Sequence, residues 1–548
     1  MHKFRNIIFV LAGFLMVGML AGCQKSENAG VVTENVRKNE VKKSEKEMVV
    51  AENISDSGES LAMGNVLLNR SNFWGGLVFR GLLIADEEIN NVRKDLCTEY
   101  TISPNGMTYI FVLQDDLYWH DGEKLTVEDV VWSIETCLRF KEVNSYIQKG
   151  LRGIVGADMF MSGKMDYISG ISVEENSITI KMSKPDNNFL ASLAQLPILP
   201  KHCLEDVPVE ELGSCEFWEM PVGSGPYKVV ENRDNKEVIL ELNEDYSGKM
   251  PKIERIRYKF LENTETDEFT FAITSDPEVI EKFSQYPEYK VIKTGNLYYC
   301  YLYFNLDGRS EEESKRLHNK NVRQALFIGI DRENIIKEIY KGAATVIDGG
   351  IPSSDTWYQE KDADKVEYNP ELAKRMLKES EFDFTKPMIL TRYSQDDMSV
   401  QLLEKIAENW RQLGIKVEIE PIDAGDTDKL WVKPDWYDVG LKNLSAVDYS
   451  DWYYEYASEN QLWSQIYHNR TIFDVLIAAL KGTKWAYERS MLYNEIQSME
   501  AEEMYKVPLA IVPQYVIYNK EELILPEMEF PNMEYYFDLN ISQWIMKE

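Results

Sequence analysis

Met398 to Ile419 reads MSVQLLEKIAENWRQLGIKVEI. Leu402, Ile406, Trp410 and Leu413 recur every three or four residues, the period that gives an α-helix one apolar face. Gly414 follows, the residue type that most readily stops a helix. Ile415, Val417 and Ile419 then alternate with Lys416, Glu418 and Glu420, the period-two pattern of a half-buried strand. The spacing therefore predicts helix, glycine and strand in direct succession. The same grammar recurs upstream. Tyr109–Leu113 (YIFVL) is a β-rich run after the turn signal Pro104-Asn105-Gly106. Thr126 caps a helix with Glu128 and Asp129 in its first turn, and Val130, Ile134 and Leu138 return every four residues. Asn369-Pro370, a cap and a first-turn proline, opens a helix through Leu377. Strands and helices alternating along the chain define the α/β class.

At 548 residues the chain is long enough for about three or four packing units. Apolar residues make up 44% of it and aromatics 12%, ample for sizeable cores, which excludes wholesale disorder. Acids outnumber bases by 92 to 60, and a net charge of −32 repels phosphate backbones, so no nucleic-acid partner is expected. The five histidines, His2, His120, His202, His318 and His468, are scattered, so no metal site is expected. A zinc-protease helix, a phosphate-binding loop and a nucleophile elbow are absent from the sequence. With 92 acids, adjacent carboxylates carry no information about catalysis. No enzyme and no cofactor are expected.

Residues 1–22 read as an export signal. Lys3 and Arg5 precede the uncharged run Ile7–Leu20 (IIFVLAGFLMVGML), which is shorter than the roughly 20 residues of a membrane span. Leu20-Ala21-Gly22-Cys23 resembles the bacterial lipobox, in which the cysteine carries a diacylglyceryl group. Lipidation at Cys23 is therefore expected, against the plainer alternatives of an uncleaved anchor or an ordinary signal peptide. Residues 23–46 are polar and charged, a flexible tether. The rest is expected to be held at the extracytoplasmic face of the cell membrane. Setting Cys23 aside leaves Cys97, Cys137, Cys203, Cys215 and Cys300, an odd number and no disulfide framework. Cys203 and Cys215 could close a short loop or stay free. Without a Cys-x-x-Cys pair, zinc is not indicated.

Five phrases in order resemble the bacterial extracellular solute-binding proteins of family 5, the oligopeptide, dipeptide and nickel group of ABC transporters. They are Tyr109–Ser133 (YIFVLQDDLYWHDGEKLTVEDVVWS), Pro221–Lys228 (PVGSGPYK), Asn321–Gly342 (NVRQALFIGIDRENIIKEIYKG, followed by Ile351-Pro352), Leu402–Ile419 and Ala446–Asp451 (AVDYSD). Each also has a structural explanation. Gly223, Gly225 and Pro226 suit a tight turn, Asp331 a helix cap and Lys341-Gly342 a helix end. These residues are taken to bear the fold rather than the ligand.

The resemblance implies a type II periplasmic-binding-protein-like α/β fold of two lobes with an extra subdomain. Lobe I would comprise 47–80, 200–300 and 506–548, with the subdomain at 81–199; lobe II would run 301–505, and crossings near 300 and 505 would form the hinge. It implies a monomeric binding protein that closes on a peptide and delivers it to ABC permease subunits, for import or for signalling. The same family includes oligosaccharide binders, which keeps a sugar ligand open. An extracellular hydrolase would need a catalytic constellation that is not found. In peptide-binding members the aspartate matching Asp448 takes the ligand's α-amine; its plainer reading is an Asx-turn beside a helix cap at Asp451. Two departures put peptide specificity in question: Ser445 stands where members often have tryptophan, and Ser450 replaces a proline. Nine aromatics crowd Trp431–Trp463, namely Trp431, Trp436, Tyr437, Tyr449, Trp452, Tyr453, Tyr454, Tyr456 and Trp463. Most belong to the core, and the remainder could stack on sugar rings or grip apolar side chains. The candidate contacts are Asp448, Ser445, Tyr449, Trp452 and Trp436.

Overall fold

The computed structural model describes residues 47–547 except 54–72, 87–90, 141–142, 144, 234–236, 262–268, 296–297, 352–366, 393, 395, 423–427, 432–433, 447–448, 459, 461–469, 484, 529 and 531–539. The expected signal peptide, Cys23, the tether, Asp448 and Trp463 lie outside the described residues.

The helix read at Met398 runs Asp397–Gln412, and its cap is the Asp396 carboxylate, which accepts the Ser399 N–H at 2.8 Å. Leu402, Leu403, Ile406, Ala407 and Trp410 are buried. Gly414 has φ +95° beyond the helix end, and the chain enters the strand Val417–Ile419, parallel to Met388–Arg392. Strand, helix and parallel strand form one βαβ unit. It closes the edge of a six-stranded sheet ordered Thr345–Val346, Lys506–Ile511, Tyr298–Phe304, Val439–Ser445, Met388–Arg392, Val417–Ile419.

A separate seven-stranded sheet is ordered Tyr289–Lys293, Tyr515–Asn519, Phe271–Thr274, Met48–Asn53, Arg255–Leu261, Glu237–Leu242, Tyr227–Arg233. A four-stranded antiparallel sheet holds Cys97–Ile102, Thr108–Leu113, Ser177–Lys181 and Ile171–Glu174. One large apolar cluster joins the seven- and four-stranded sheets, from Met48 through Ile273 and again from Val516 to Trp544. A second, from Tyr299 to Val512, fills the six-stranded side. Two cores with separate sheets make two lobes.

The chain leaves the seven-stranded sheet after Lys293 for the six-stranded one, and returns to it after Ile511. There the Gln514 carbonyl accepts both the Thr294 N–H (3.0 Å) and its hydroxyl (2.9 Å), and Val512 N–H donates to the Tyr298 carbonyl at 3.0 Å. Lys506–Ile511, expected in the first lobe, instead pairs with Tyr298–Phe304 in the second sheet. Every residue of that strand is buried, so its hydrophobic pattern carries no hint of which sheet receives it.

Two of the quoted phrases lock together in the first lobe. Trp119–Glu123 is a tight turn in which Trp119 N–H bonds the Glu123 carbonyl (2.8 Å) and Gly122 takes φ +91°. His120 N–H donates to the Gly223 carbonyl at 2.8 Å. Its Nδ1 accepts the Gly223 N–H (3.2 Å), so Nε2 carries the proton and donates to the Gly225 carbonyl (3.1 Å). That geometry needs a neutral ring; burial, with Lys228 nearby, pulls its pKa down to about 4 although the bond to Gly225 opposes this. Gly223 and Gly225 do not take positive φ. A Cβ on Gly223 would lie 1.9 Å from the Val78 carbonyl oxygen, and one on Gly225 2.4 Å from that of Leu77. Close backbone approach to the helix Phe73–Val78, rather than turn conformation, selects glycine here.

Candidate functional site

The lobes meet along a seam built from polar and charged side chains. The helix Ser145–Arg152 of the first lobe presents Lys149, whose ammonium lies 2.6 Å from Asp451 in the second-lobe helix Tyr449–Tyr453. Asp451 is only 8% exposed, so the pair is shielded from water and its attraction exceeds that of a surface pair. Next to it Asn188 Nδ2 donates to the Ser450 hydroxyl at 3.1 Å. The Asn187 N–H and amide donate to the Lys481 and Thr483 carbonyls at 3.3 and 2.8 Å. Lys149 and Lys481 place their ammoniums 4.1 and 3.9 Å from the centroid of the Tyr454 ring, a double cation–π contact. Lys341 also crosses, to Glu278 (3.2 Å) and Glu281 (3.4 Å).

Asp451, read as a helix cap, lies inside its helix and serves the seam instead. Tyr449 and Trp452 share that helix, with ring centroids 5.1 Å apart. Trp452 is fully buried, its indole N–H donates to the Leu444 carbonyl (3.2 Å), and its ring lies 5.0 Å from Tyr299. Trp452 is therefore a core residue beneath its helix. Ser445 ends its strand opposite Tyr298, and its buried hydroxyl has no hydrogen-bond partner among the described residues. Trp436 lies before the other end of the same strand, roughly 20 Å away at about 3.3 Å per residue, and bonds the Lys429 carbonyl. The structure thus groups Ser445, Tyr449 and Trp452 and leaves Trp436 apart. Tyr437, Tyr453 and Tyr456 are core residues.

Beneath the Tyr449–Tyr453 helix lies a buried charge cluster. Glu455 bonds Lys442, Lys506 (2.7 Å) and the Tyr301 hydroxyl (2.6 Å), while Lys506 also donates to the Trp452 carbonyl at 3.1 Å. Burial alone would raise the Glu455 carboxyl, but the two lysines hold it at about 2. Lys506 is wholly buried, so its strand is tied to the lobe that contains Glu455.

The aromatic-rich stretch around residue 450 contains the helix Tyr449–Tyr453, which meets the first lobe through Asp451 and Ser450. Lys149, Asn187 and Asn188 carry no local signal of a partner, because they lie 302, 296 and 262 residues from Asp451, Thr483 and Ser450 respectively. Cys203 and Cys215 are both free thiols.

A family model for the bacterial extracellular solute-binding proteins, family 5, matches residues 91–463. Five Brucella relatives are 26% identical over 371 residues, and the chain spans 64% of their length. The oligopeptide-binding protein AppA of Bacillus subtilis is 26% identical over 509 residues, 85% of this chain and 86% of that one. Its solved structure with a nonapeptide superposes with a TM-score of 0.70 at 21% identity, over 92% of this chain and 99% of that chain. Lactococcal OppA, closed on an endogenous peptide, reaches 0.74 at 17% identity, over 91% and 100%. These likenesses establish the type II periplasmic-binding-protein-like α/β fold of two lobes.

Proposed function

The chain belongs to the bacterial extracellular solute-binding proteins, family 5, and on that premise we propose that it binds oligopeptides or dipeptides by lobe closure and hands them to an ABC permease. It is a transport binding protein and not an enzyme. The observation that carries the reading is the seam: two lobes with separate cores and two chain crossings meet through Lys149–Asp451 and Asn188–Ser450. Contacts of this kind form when lobes close and part when they open, so a ligand that adds contacts to the closed state shifts the population toward it. The names of AppA and OppA supply the peptide class. The lipobox-like Leu20–Cys23 supports a lipid anchor at Cys23 on the extracytoplasmic face, and two acyl chains there would hold a monomer stably on the bilayer.

Asp448 is proposed to receive the peptide's α-ammonium, in keeping with the Ala446–Asp451 phrase. Native mass spectrometry of gently purified protein tests the ligand class: a spread of peptide masses supports the reading, and a hexose ladder replaces it with a sugar ligand. Calorimetry tests the residue. Asp448→Asn should cost about 3–5 kcal/mol of binding, two or more decades in affinity. Acetylating the peptide amine should hurt the mutant little further, since both changes remove one interaction. If the two losses simply add, the amine is held elsewhere. Cys23→Ser should abolish labelling by a fatty-acid probe, and continued labelling would refute the anchor.

A further inference from the structure

Away from the seam, three side chains of different chemistry converge on the first lobe: Asp121, His202 and Cys203, with one ligand atom from each lying within 4.8 Å of the others. We propose that they form a binding site for a late first-row divalent metal ion, zinc foremost. The inference does not depend on what the cleft binds.

The donor set is the first reason. Thiolate, imidazole and carboxylate together suit zinc and its neighbours and are poorly matched to magnesium or calcium, which take oxygen ligands. Three protein ligands leave the fourth tetrahedral position for water.

Pre-organisation is the second. His202 Nε2 already stands 2.8 Å from Asp121 Oδ2, and a cation can replace the proton they share. Zinc bonds of about 2.0–2.3 Å set tetrahedral edges of roughly 3.3–3.7 Å, so each side chain need move by only about 1 Å. Asp121 and His202 are exposed, which makes such a shift inexpensive. The other carboxylate oxygen, Oδ1, accepts the Glu123 N–H at 3.1 Å, an outer support of the kind that orients ligating carboxylates.

Both backbones are fixed as well. Asp121 sits in the Trp119–Glu123 turn that His120 ties to Gly223. The short helix Lys201–Leu204 carrying His202 and Cys203 is held where Asp129 accepts the Lys201 N–H (3.1 Å) and Ser133 the Leu199 N–H (2.9 Å). The isolated His202–Asp121 ion pair would be worth little by itself on an exposed surface, and it does not explain the thiol beside it. Scattered histidines and the lack of a Cys-x-x-Cys pair argued against any metal. A residue 81 positions upstream supplies the missing ligand, which spacing rules do not reach.

The test uses cobalt(II) as the probe on the full chain, followed by competition with zinc(II). Cobalt bound to a thiolate has a near-ultraviolet charge-transfer absorption, which should appear with one equivalent and vanish as zinc displaces it. Cys203→Ser should remove the absorption, and Cys215→Ser should keep it. His202→Gln and Asp121→Asn should each weaken cobalt binding at least tenfold. Zinc should raise the thermal midpoint of the wild type, since an ion that binds only the folded state stabilises it, but not that of Cys203→Ser. Absence of the absorption, its survival in Cys203→Ser, or equal cobalt affinity in the His202 and Asp121 variants would each overturn the site.

Discussion

The two lobes fasten their key segments by opposite chemistry. In the first, the Trp119–Glu123 turn is held to Gly223 and Gly225 by a neutral histidine and by backbone packed too tightly for a side chain. In the second, the helix bearing Asp451 rests on Glu455 clamped between Lys442 and Lys506. The first fastening therefore depends on excluding a charge and the second on keeping one. Both weaken in acid, but at different pH, because a histidine pushed down and a carboxylate pushed down titrate in different windows.

The largest effect that should break the comparison is at Glu455. Glu455→Gln removes the carboxylate that bridges the buried Lys506 and the half-buried Lys442, and breaking such a cluster costs about 3–5 kcal/mol. Denaturant unfolding should show the loss, followed through the second lobe's Trp452 and Trp410. The carboxyl is held at about 2 in the folded chain, below the ordinary glutamate value of 4.5. Its contribution is therefore full above pH 4.5 and fades as pH falls toward 2. The mutant should be flatter across that interval; an equally steep acid response would assign the sensitivity to other carboxylates.

His120 should act earlier. Its folded pKa is about 4 against 6.5 when free, so the unfolded chain binds the extra proton between those values. Stability then falls as pH drops from 6.5 to 4, by about 2–3 kcal/mol for this group. His120→Gln retains an acceptor and a donor but does not titrate. Thermal midpoints measured across pH 4–6.5 should lose much of their slope in the mutant, and an unchanged slope would remove His120 as the cause.

Gly223→Ala sharpens the packing half of the contrast. Its methyl would sit 1.9 Å from the Val78 oxygen, and overpacking of this kind costs about 1–3 kcal/mol at any pH. A midpoint equal to that of the wild type would mean the backbone contact is slack. The smallest stability change belongs to the seam. Lys149→Met should cost about 1 kcal/mol or less without ligand, because neither core is touched and parting of the lobes lets water reach Asp451. It should instead favour the open form, raising the radius of gyration in small-angle scattering of the unliganded chain. No change in that radius would show that Lys149–Asp451 does not set the lobe equilibrium.

Local grammar determined a large share of this fold. The body and Gly414 stop of the Asp397–Gln412 helix, the cap at Thr126 and the Asn369-Pro370 start were legible because caps, periodicity and stop residues act within a few positions of one another. The family was legible too, because its phrases are short and occur in order. What the sequence left open was every choice of partner across distance. Lys506–Ile511 could have joined either sheet until Lys506 met Glu455. Gly223 resembled a turn glycine until Val78 came against it. Lys149 was one lysine among many until the fold set it beside Asp451, and His202 and Cys203 formed no cluster until a tight turn brought Asp121 to them. Hydrogen bonds within a segment are encoded by neighbours along the chain, whereas buried charges, backbone contacts and ligand sets depend on which surfaces the two cores bring within a few ångströms.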